Sequence, residues 1–450
     1  MELDSLTFIL LFMPISVLLA YFIKDNKVIN FIILLLNIAF YLFGDYRYLI
    51  LLFIISLITY LAAKKIKNNK VLYGISVLLI VGTLLFFKYN GLILNNLQLS
   101  LKGLLMPLGL SYYSFNAISY LSDVYRNKYE YCDDPLEIFT YLSFFPLITS
   151  GPLLRFDRFN NYYNCKDIST DNIAEGLRRF IVGLFKKVVL ADQLSVLVGT
   201  AFNVNTKLST PLAWVGLLGY ALRLYLDFSG YDDMAIAVGN MLGFKDIPEN
   251  FNEPYTSKSI SEFWRRWHIT LGAWFRDYIY IPLGGNRVNT FRWVINIMAV
   301  WLATGIWHGS RINFLIWGIY NGILVLIDRK LLSKIKMPTF ISWFITMFMV
   351  IMGWLIFNTN SPAELLRYLS VLFGGGEAFS MTYIRMLDIL YLWPIYLLSI
   401  IFVLPITEKS LNKLNDKYGT IYDILLLILG LLSLICILGG SQVTAIYIGF

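Results

Sequence analysis

A chain of 450 residues that is 58% hydrophobic and only 15% charged is excluded from the ordinary soluble class, in which roughly 25% of residues carry charge. Apolar runs of about 20 residues, the length needed to cross ~30 Å of hydrocarbon, recur from end to end and read as a polytopic membrane protein. The net charge of +8 is therefore assigned to basic cytoplasmic loops and not to nucleic acid, and three scattered cysteines (Cys132, Cys165, Cys436) lack the spacing of a disulfide framework or a metal site.

From the N-terminus, Leu6–Ile23, Val28–Phe43, Tyr48–Ala63 and Val71–Phe87 read as spanning or near-spanning helices. The first follows Glu2 and Asp4, with no basic n-region and no small-residue cleavage site, so no signal peptide is expected. Lys24 and Lys27 follow the first run, Asp45 and Arg47 the second, and Lys64, Lys65, Lys67 and Lys70 the third. This alternation predicts an extracellular N-terminus.

Residues 101–290 differ, mixing apolar stretches with Pro, Gly, Asn and paired charges. Broken, re-entrant or interfacial helices are expected there, because irregular backbone at membrane depth survives only where protein buries it or a cavity adjoins it. Further on, Phe340–Phe357 and Ile421–Gly439 read as spans, preceded by basic loops at Lys330, Lys334 and Lys336 and at Lys409, Lys413 and Lys417. The tail "SQVTAIYIGF" then falls outside. Ser361, Pro362 and Glu364 form a capping-box signature opening a helix too short to span. The organisation is one integral membrane domain: hairpins over 1–100, a core over 101–330, and helices with an extracellular tail over 331–450.

Only two histidines occur. His308 sits in "WLATGIWHGSRINF" between Trp307 and Gly309, in apolar sequence. An ionisable ring there reads as functional by default, although a satisfied core histidine is the plainer alternative. Gly305 and Gly309 allow another group to approach, and "SRIN" is polar enough for the chain to reverse. His268 lies among Arg265, Arg266, Arg276 and Arg287, interleaved with Trp264, Trp267 and Trp274. Such a stretch can hold phosphates, or it can simply anchor a membrane interface.

Taken together, "RRWHITLGAWFRDYIYIPLGGNR" and the later "WHG" resemble the membrane-bound O-acyltransferase family (MBOAT). Within it, they resemble the branch containing the membrane subunit of alginate O-acetylation. "PLGLSYYSFNAISYLSDVYR", "SFFPLITSGPLLRF", "GLRRFIVGLFKKVVLAD" and "YLDFSGYDDMAIAVGNMLGFKDIPENFNEPY" agree in the same order, covering most of residues 107–330. The resemblance implies an all-α fold: a ring of tilted transmembrane helices with re-entrant helices around a central tunnel. It makes residues 101–330 the catalytic core, with His308 as the catalytic histidine and His268 toward the cytoplasmic, donor side.

The implied activity is O-acetyl transfer from a cytoplasmic thioester, with acetyl-CoA as donor and Arg265, Arg266, Arg276 and Arg287 as its binding residues. The implied partners are a secreted or membrane-anchored serine-hydrolase-like O-acetyltransferase and an extracellular polysaccharide or peptidoglycan acceptor. D-alanyl transfer to teichoic acid from a carrier protein is the alternative within the family; the intact "PLGGNR" favours acetylation. A transporter is the alternative outside it, opposed by the lack of an inverted repeat. Asp227, Asp232 and Asp233 are assigned to polar packing, with Gly230 as the point of a helix break. The terminal "AIYIGF" resembles a Phe-Ile-Tyr-Phe-Gln-Phe ending in related transferases, which makes Tyr447 either a transient acyl carrier or an aromatic anchor. A buried neutral imidazole suits the general-base task. For the oxyanion, Trp307 and Asn313 can donate, and nothing in the sequence selects between them.

Overall fold

The computed structural model describes residues 1–96, 105–166, 168–203, 208–376, 383–440 and 442–446. Every regular element among them is helical. A π-helical turn, Phe8–Phe12, leads into α1 (Met13–Phe22), followed by α2 (Asn26–Asp45), α3 (Leu49–Ile66) and α4 (Lys70–Asn96). These follow the four apolar runs closely, with α4 continuing past Phe87. Their ends have local causes. The Asp25 side chain accepts from the N–H groups of Lys27 and Val28 to start α2, and the tight turn Tyr46–Tyr48 separates α2 from α3.

The middle third is broken, as its composition predicts. It comprises α5 (Leu110–Tyr125), α6 (Pro135–Ser143), α7 (Phe156–Asn164), α8 (Thr170–Leu184), a π-helical turn Phe185–Ala191, α9 (Asp192–Phe202), α10 (Thr210–Met241), α11 (Ile260–Arg266), α12 (Ile269–Phe275), a second π-helical turn Arg276–Tyr280, and α13 (Thr290–His308). Four of these helices have nine residues or fewer, far short of a span. One expectation is overturned. Helix α10 runs unbroken for 32 residues through "DFSGYDDM". Gly230 instead permits close approach, since a Cβ there would lie 2.7 Å from Gly183 O and 3.0 Å from Lys187 N.

Beyond His308 come α14 (Ile312–Lys330), α15 (Thr339–Asn358), α16 (Pro362–Ser370), α17 (Tyr383–Val403), α18 (Pro405–Lys417) and α19 (Gly419–Leu438). Ser361 Oγ accepts from Glu364 N–H, and Glu364 reaches back to Asn360 N–H, so the capping signature is used. The basic segment holding Lys409, Lys413 and Lys417 is the helix α18, and it turns by 77° from the preceding apolar helix at Leu404. Among the described residues, five stretches are long and apolar enough to cross a bilayer: Asn26–Ile66, Lys70–Gly91, Ile312–Lys334, Thr339–Asn358 and Gly419–Leu438. They expose large apolar side chains such as Phe31, Leu78 and Leu427, a surface that suits lipid and would drive association in water.

The described chain forms two compact units. The first comprises Met1–Ile181 and Tyr231–Glu249. In it Phe8, Phe40, Phe145 and Phe180 make an aromatic core, and buried Asn37 bonds Ser143 Oγ and Phe145 N–H. Arg179 holds Asp233 and, through two parallel bonds, Glu249, which supports the polar-packing reading of Asp233. The second unit comprises Val182–Gly230 and Asn250–Ile446. It carries both histidines.

Candidate functional site

Helices α13 and α14 form a hairpin whose turn is Gly309–Arg311. The chain reverses there because Gly309 adopts φ +138°, a backbone conformation that a side chain disfavours. The two helices pack at backbone distance. A Cβ at Gly305 would lie 2.6 Å from Phe314 O, and one at Gly318 would lie 2.5 Å from Trp301 O. This crossing fixes His308, the last residue of α13, against α14.

His308 is 3% exposed. Its ring is walled by Trp307 at 4.6 Å, Phe357 at 4.9 Å and Trp317 at 5.1 Å between centroids, the last two edge-on. Phe314 closes the box at 5.9 Å. Water is largely excluded, so a proton acceptor placed here meets its substrate in a medium where electrostatic effects are strong. Among the described residues, the indole N–H groups of Trp264, Trp317 and Trp354 are buried without a hydrogen-bond partner. Trp317 is the one whose ring abuts His308. Asn313, one of two donors considered from sequence, is already engaged, because its amide donates to Thr359 O at 2.9 Å and Thr359 Oγ1 at 2.7 Å.

His268 caps α12 at φ +47° and is also buried. Asn250 holds it. Asn250 Oδ1 accepts from Thr270 N–H at 3.2 Å and Thr270 Oγ1 at 2.5 Å, so at 3.3 Å it also accepts from His268 Nδ1. That leaves Nε2 as the basic nitrogen. Burial pushes the imidazole pKa down to about 3. Trp307 lies between the histidines, its ring 4.6 Å from His308 and 6.5 Å from His268. Sequence reasoning missed Asn250; its only signal was a polar residue in "PENFNEPY" ahead of a histidine.

The four arginines separate. Arg265 borders a cavity of about 510 Å³, together with Lys258, Arg329, Asp328 and the hydroxyls of Ser259, Ser261, Ser342 and Thr346. Asp328 is anchored by Ser261 N–H at 2.9 Å. Arg266 instead pairs with Glu262 at 2.8 Å and bonds Thr256 at 3.0 Å. Arg276 pairs with its neighbour Asp277 at 2.8 Å, and both Arg276 and Arg287 are exposed. The structure thus brings Arg265 to a cavity with cations absent from the sequence-derived set, Lys258 and Arg329. Tyr447 lies outside the described residues.

The family model described as MBOAT, membrane-bound O-acyltransferase family, matches residues 40–363. The chain is 41% identical over 277 residues to the probable alginate O-acetylase AlgI of Pseudomonas aeruginosa, covering 61% of this chain and 52% of that protein. It is 35% identical over 308 residues to the peptidoglycan O-acetyltransferase of Helicobacter pylori, covering 60% and 57%. It is 30% identical over 276 residues to the teichoic acid D-alanyltransferase of Bacillus subtilis, covering 56% and 68%. The chain spans about half the length of the alginate relatives it matches.

Proposed function

We propose, for a chain that belongs to the membrane-bound O-acyltransferase family, the transfer of an acetyl group from a cytoplasmic thioester to an acceptor outside the cell. The chain is a multi-pass membrane protein, and its alternating loop charges support an extracellular N-terminus and C-terminus. The acceptor at the end of the route is a hydroxyl of an extracellular polysaccharide or of peptidoglycan. A secreted or membrane-anchored serine-hydrolase-like transferase completes the delivery. The higher identity to the alginate and peptidoglycan O-acetylases than to the D-alanyltransferases favours acetyl over D-alanyl.

The observation that carries this reading is His308 at the end of α13, buried and walled by aromatic rings. In the proposed step His308 removes the proton from the attacking hydroxyl, whose oxygen bonds to the thioester carbonyl carbon. The tetrahedral intermediate collapses, the C–S bond breaks, and the thiolate takes the proton back from His308. Trp317 is the proposed oxyanion donor, since its ring stands against His308, its buried N–H has no partner among the described residues, and a positioned donor contributes about 10²–10³ in rate. Acetyl-CoA is the proposed donor. Arg265, Lys258 and Arg329 at the 510 Å³ cavity are suited to its phosphates.

The test is His308→Ala in membrane vesicles supplied with labelled acetyl-CoA and the acceptor polymer. Transfer, normalised to inserted protein, is expected to fall by about 10²–10⁴, or 3–5 kcal/mol of barrier. Retention of most activity would remove His308 as general base. Dependence on a phosphopantetheinyl carrier protein instead of free acetyl-CoA would transfer the reading to D-alanylation.

A further inference from the structure

A second polar cluster lies inside the unit that carries the histidines, and the acyl-transfer chemistry does not use it. Lys187 has 0% side-chain exposure, Asp192 1% and Asp227 2%. Charges so buried are costly unless every one is paired and hydrogen-bonded. Lys187, in the π-helical turn before α9, meets Asp192 Oδ1 at 2.5 Å and Asp227 Oδ1 at 3.2 Å. Gly230, one turn along α10 from Asp227, makes this meeting possible by letting α10 approach the Lys187 backbone.

The triad does not close on itself. Lys187 Nζ also donates to Val443 O at 2.6 Å, and Asp227 Oδ2 accepts from Ile446 N–H at 2.8 Å. A cation thus takes a backbone carbonyl and a carboxylate takes a backbone N–H three residues further on. Ala445, between them, is 3% exposed, whereas Thr444 faces out. These contacts read peptide backbone. If the triad served only to tie α9 to α10, its ion pairs would suffice, and neither tail contact would be needed.

We propose that Lys187, Asp192 and Asp227 form a buried receptor for peptide backbone, whose ligand is this chain's own segment 443–446. Lys187 and Asp227 are positioning residues, because they fix the point from which the chain leaves Ile446. The inference is independent of the acyl-transfer reading.

Hydrogen–deuterium exchange on the full chain in detergent tests it, since it reads the tail amides and no transfer reaction. In wild type the Ile446 amide is expected to be protected, because Asp227 Oδ2 accepts it, and the amide of exposed Thr444 is the reference. In Asp227→Asn the Ile446 amide should exchange about ten- to a hundredfold faster, as loss of a hydrogen bond to a charged group implies, with Thr444 near its wild-type rate. An Ile446 amide that exchanges at the rate of an unstructured peptide in wild type, or equally in wild type and Asp227→Asn, would overturn the proposal. If Asp227→Asn raises exchange everywhere, the wild-type rates at Ile446 and Thr444 decide alone, and equal exchange at the two overturns the proposal.

Discussion

Adding one methyl group at Gly318 tests whether the α13–α14 crossing sets the position of His308. The new Cβ would stand 2.5 Å from Trp301 O, where ordinary contact begins at 3.4 Å, leaving it about 0.9 Å too close. Its other neighbours, Trp301 C at 3.3 Å and Gly305 Cα at 3.5 Å, are also backbone, and a helix carbonyl cannot swing aside as a side chain can. The helices must part by most of that shortfall. His308 lies on α13 only three residues beyond Gly305, while Phe314 and Trp317 of its aromatic box lie on α14. A displacement near 1 Å between a base and its surroundings costs about 10²-fold in rate, close to ~3 kcal/mol of barrier. The overpacked crossing should also lose about 1–3 kcal/mol of stability. Initial rates of acetyl transfer, normalised to inserted protein, should therefore fall about a hundredfold in Gly318→Ala with KM for the donor little changed. Gly82→Ala is the control, because a Cβ there meets nothing within 4 Å. A Gly318→Ala protein retaining more than half the wild-type rate would refute the claim that this crossing positions the base.

The remaining predictions concern His268 and the donor cavity. His268 lies outside the candidate spans, and burial holds its pKa near 3 against an ordinary value of 6.5. The unfolded chain binds the extra proton first, so this contribution is complete above pH 6.5 and is lost as pH falls toward 3. The loss approaches about 1.4 kcal/mol per pH unit. Denaturation of wild type and His268→Gln in detergent between pH 7 and pH 5 should therefore diverge, with wild type losing about 2 kcal/mol more; parallel profiles would contradict the assignment. His268→Ala should slow acetyl transfer less than His308→Ala, and equal, complete losses in rate assays would end that division of labour. Arg265→Gln should raise KM for acetyl-CoA more than it lowers kcat, with a shallower dependence of KM on salt than wild type. Arg276→Gln, at an exposed pair with its own neighbour, should leave both constants within about twofold, in keeping with the small worth of surface ion pairs; the opposite ranking would move the donor site away from the cavity.

Much of this protein is legible in its sequence because membrane insertion is read locally. A run such as Val28–Phe43 or Phe340–Phe357 is apolar over the length of a bilayer wherever it packs, so α2 and α15 lie where hydropathy puts them. The broken middle third and the reversal after His308 are local too, arising from Pro, Gly and polar residues that cannot continue an apolar helix. Tertiary structure alone decided what depends on a partner far along the chain. The spacing of Gly230 within "DFSGYDDM" suits a helix break or a close approach equally well, and only the backbone of Gly183 and Lys187 against α10 selects the second. Arg265 and Arg266 are neighbours with the same chemistry, yet one faces a cavity and the other a carboxylate, because successive residues on a helix point in different directions. Asp227 reads as polar packing until its bond to Ile446, 219 residues away, is seen beside the bond from Lys187 to Val443, 256 residues away. A buried charge must find a partner, but sequence gives no measure of which distant backbone the fold will bring within 3 Å of it.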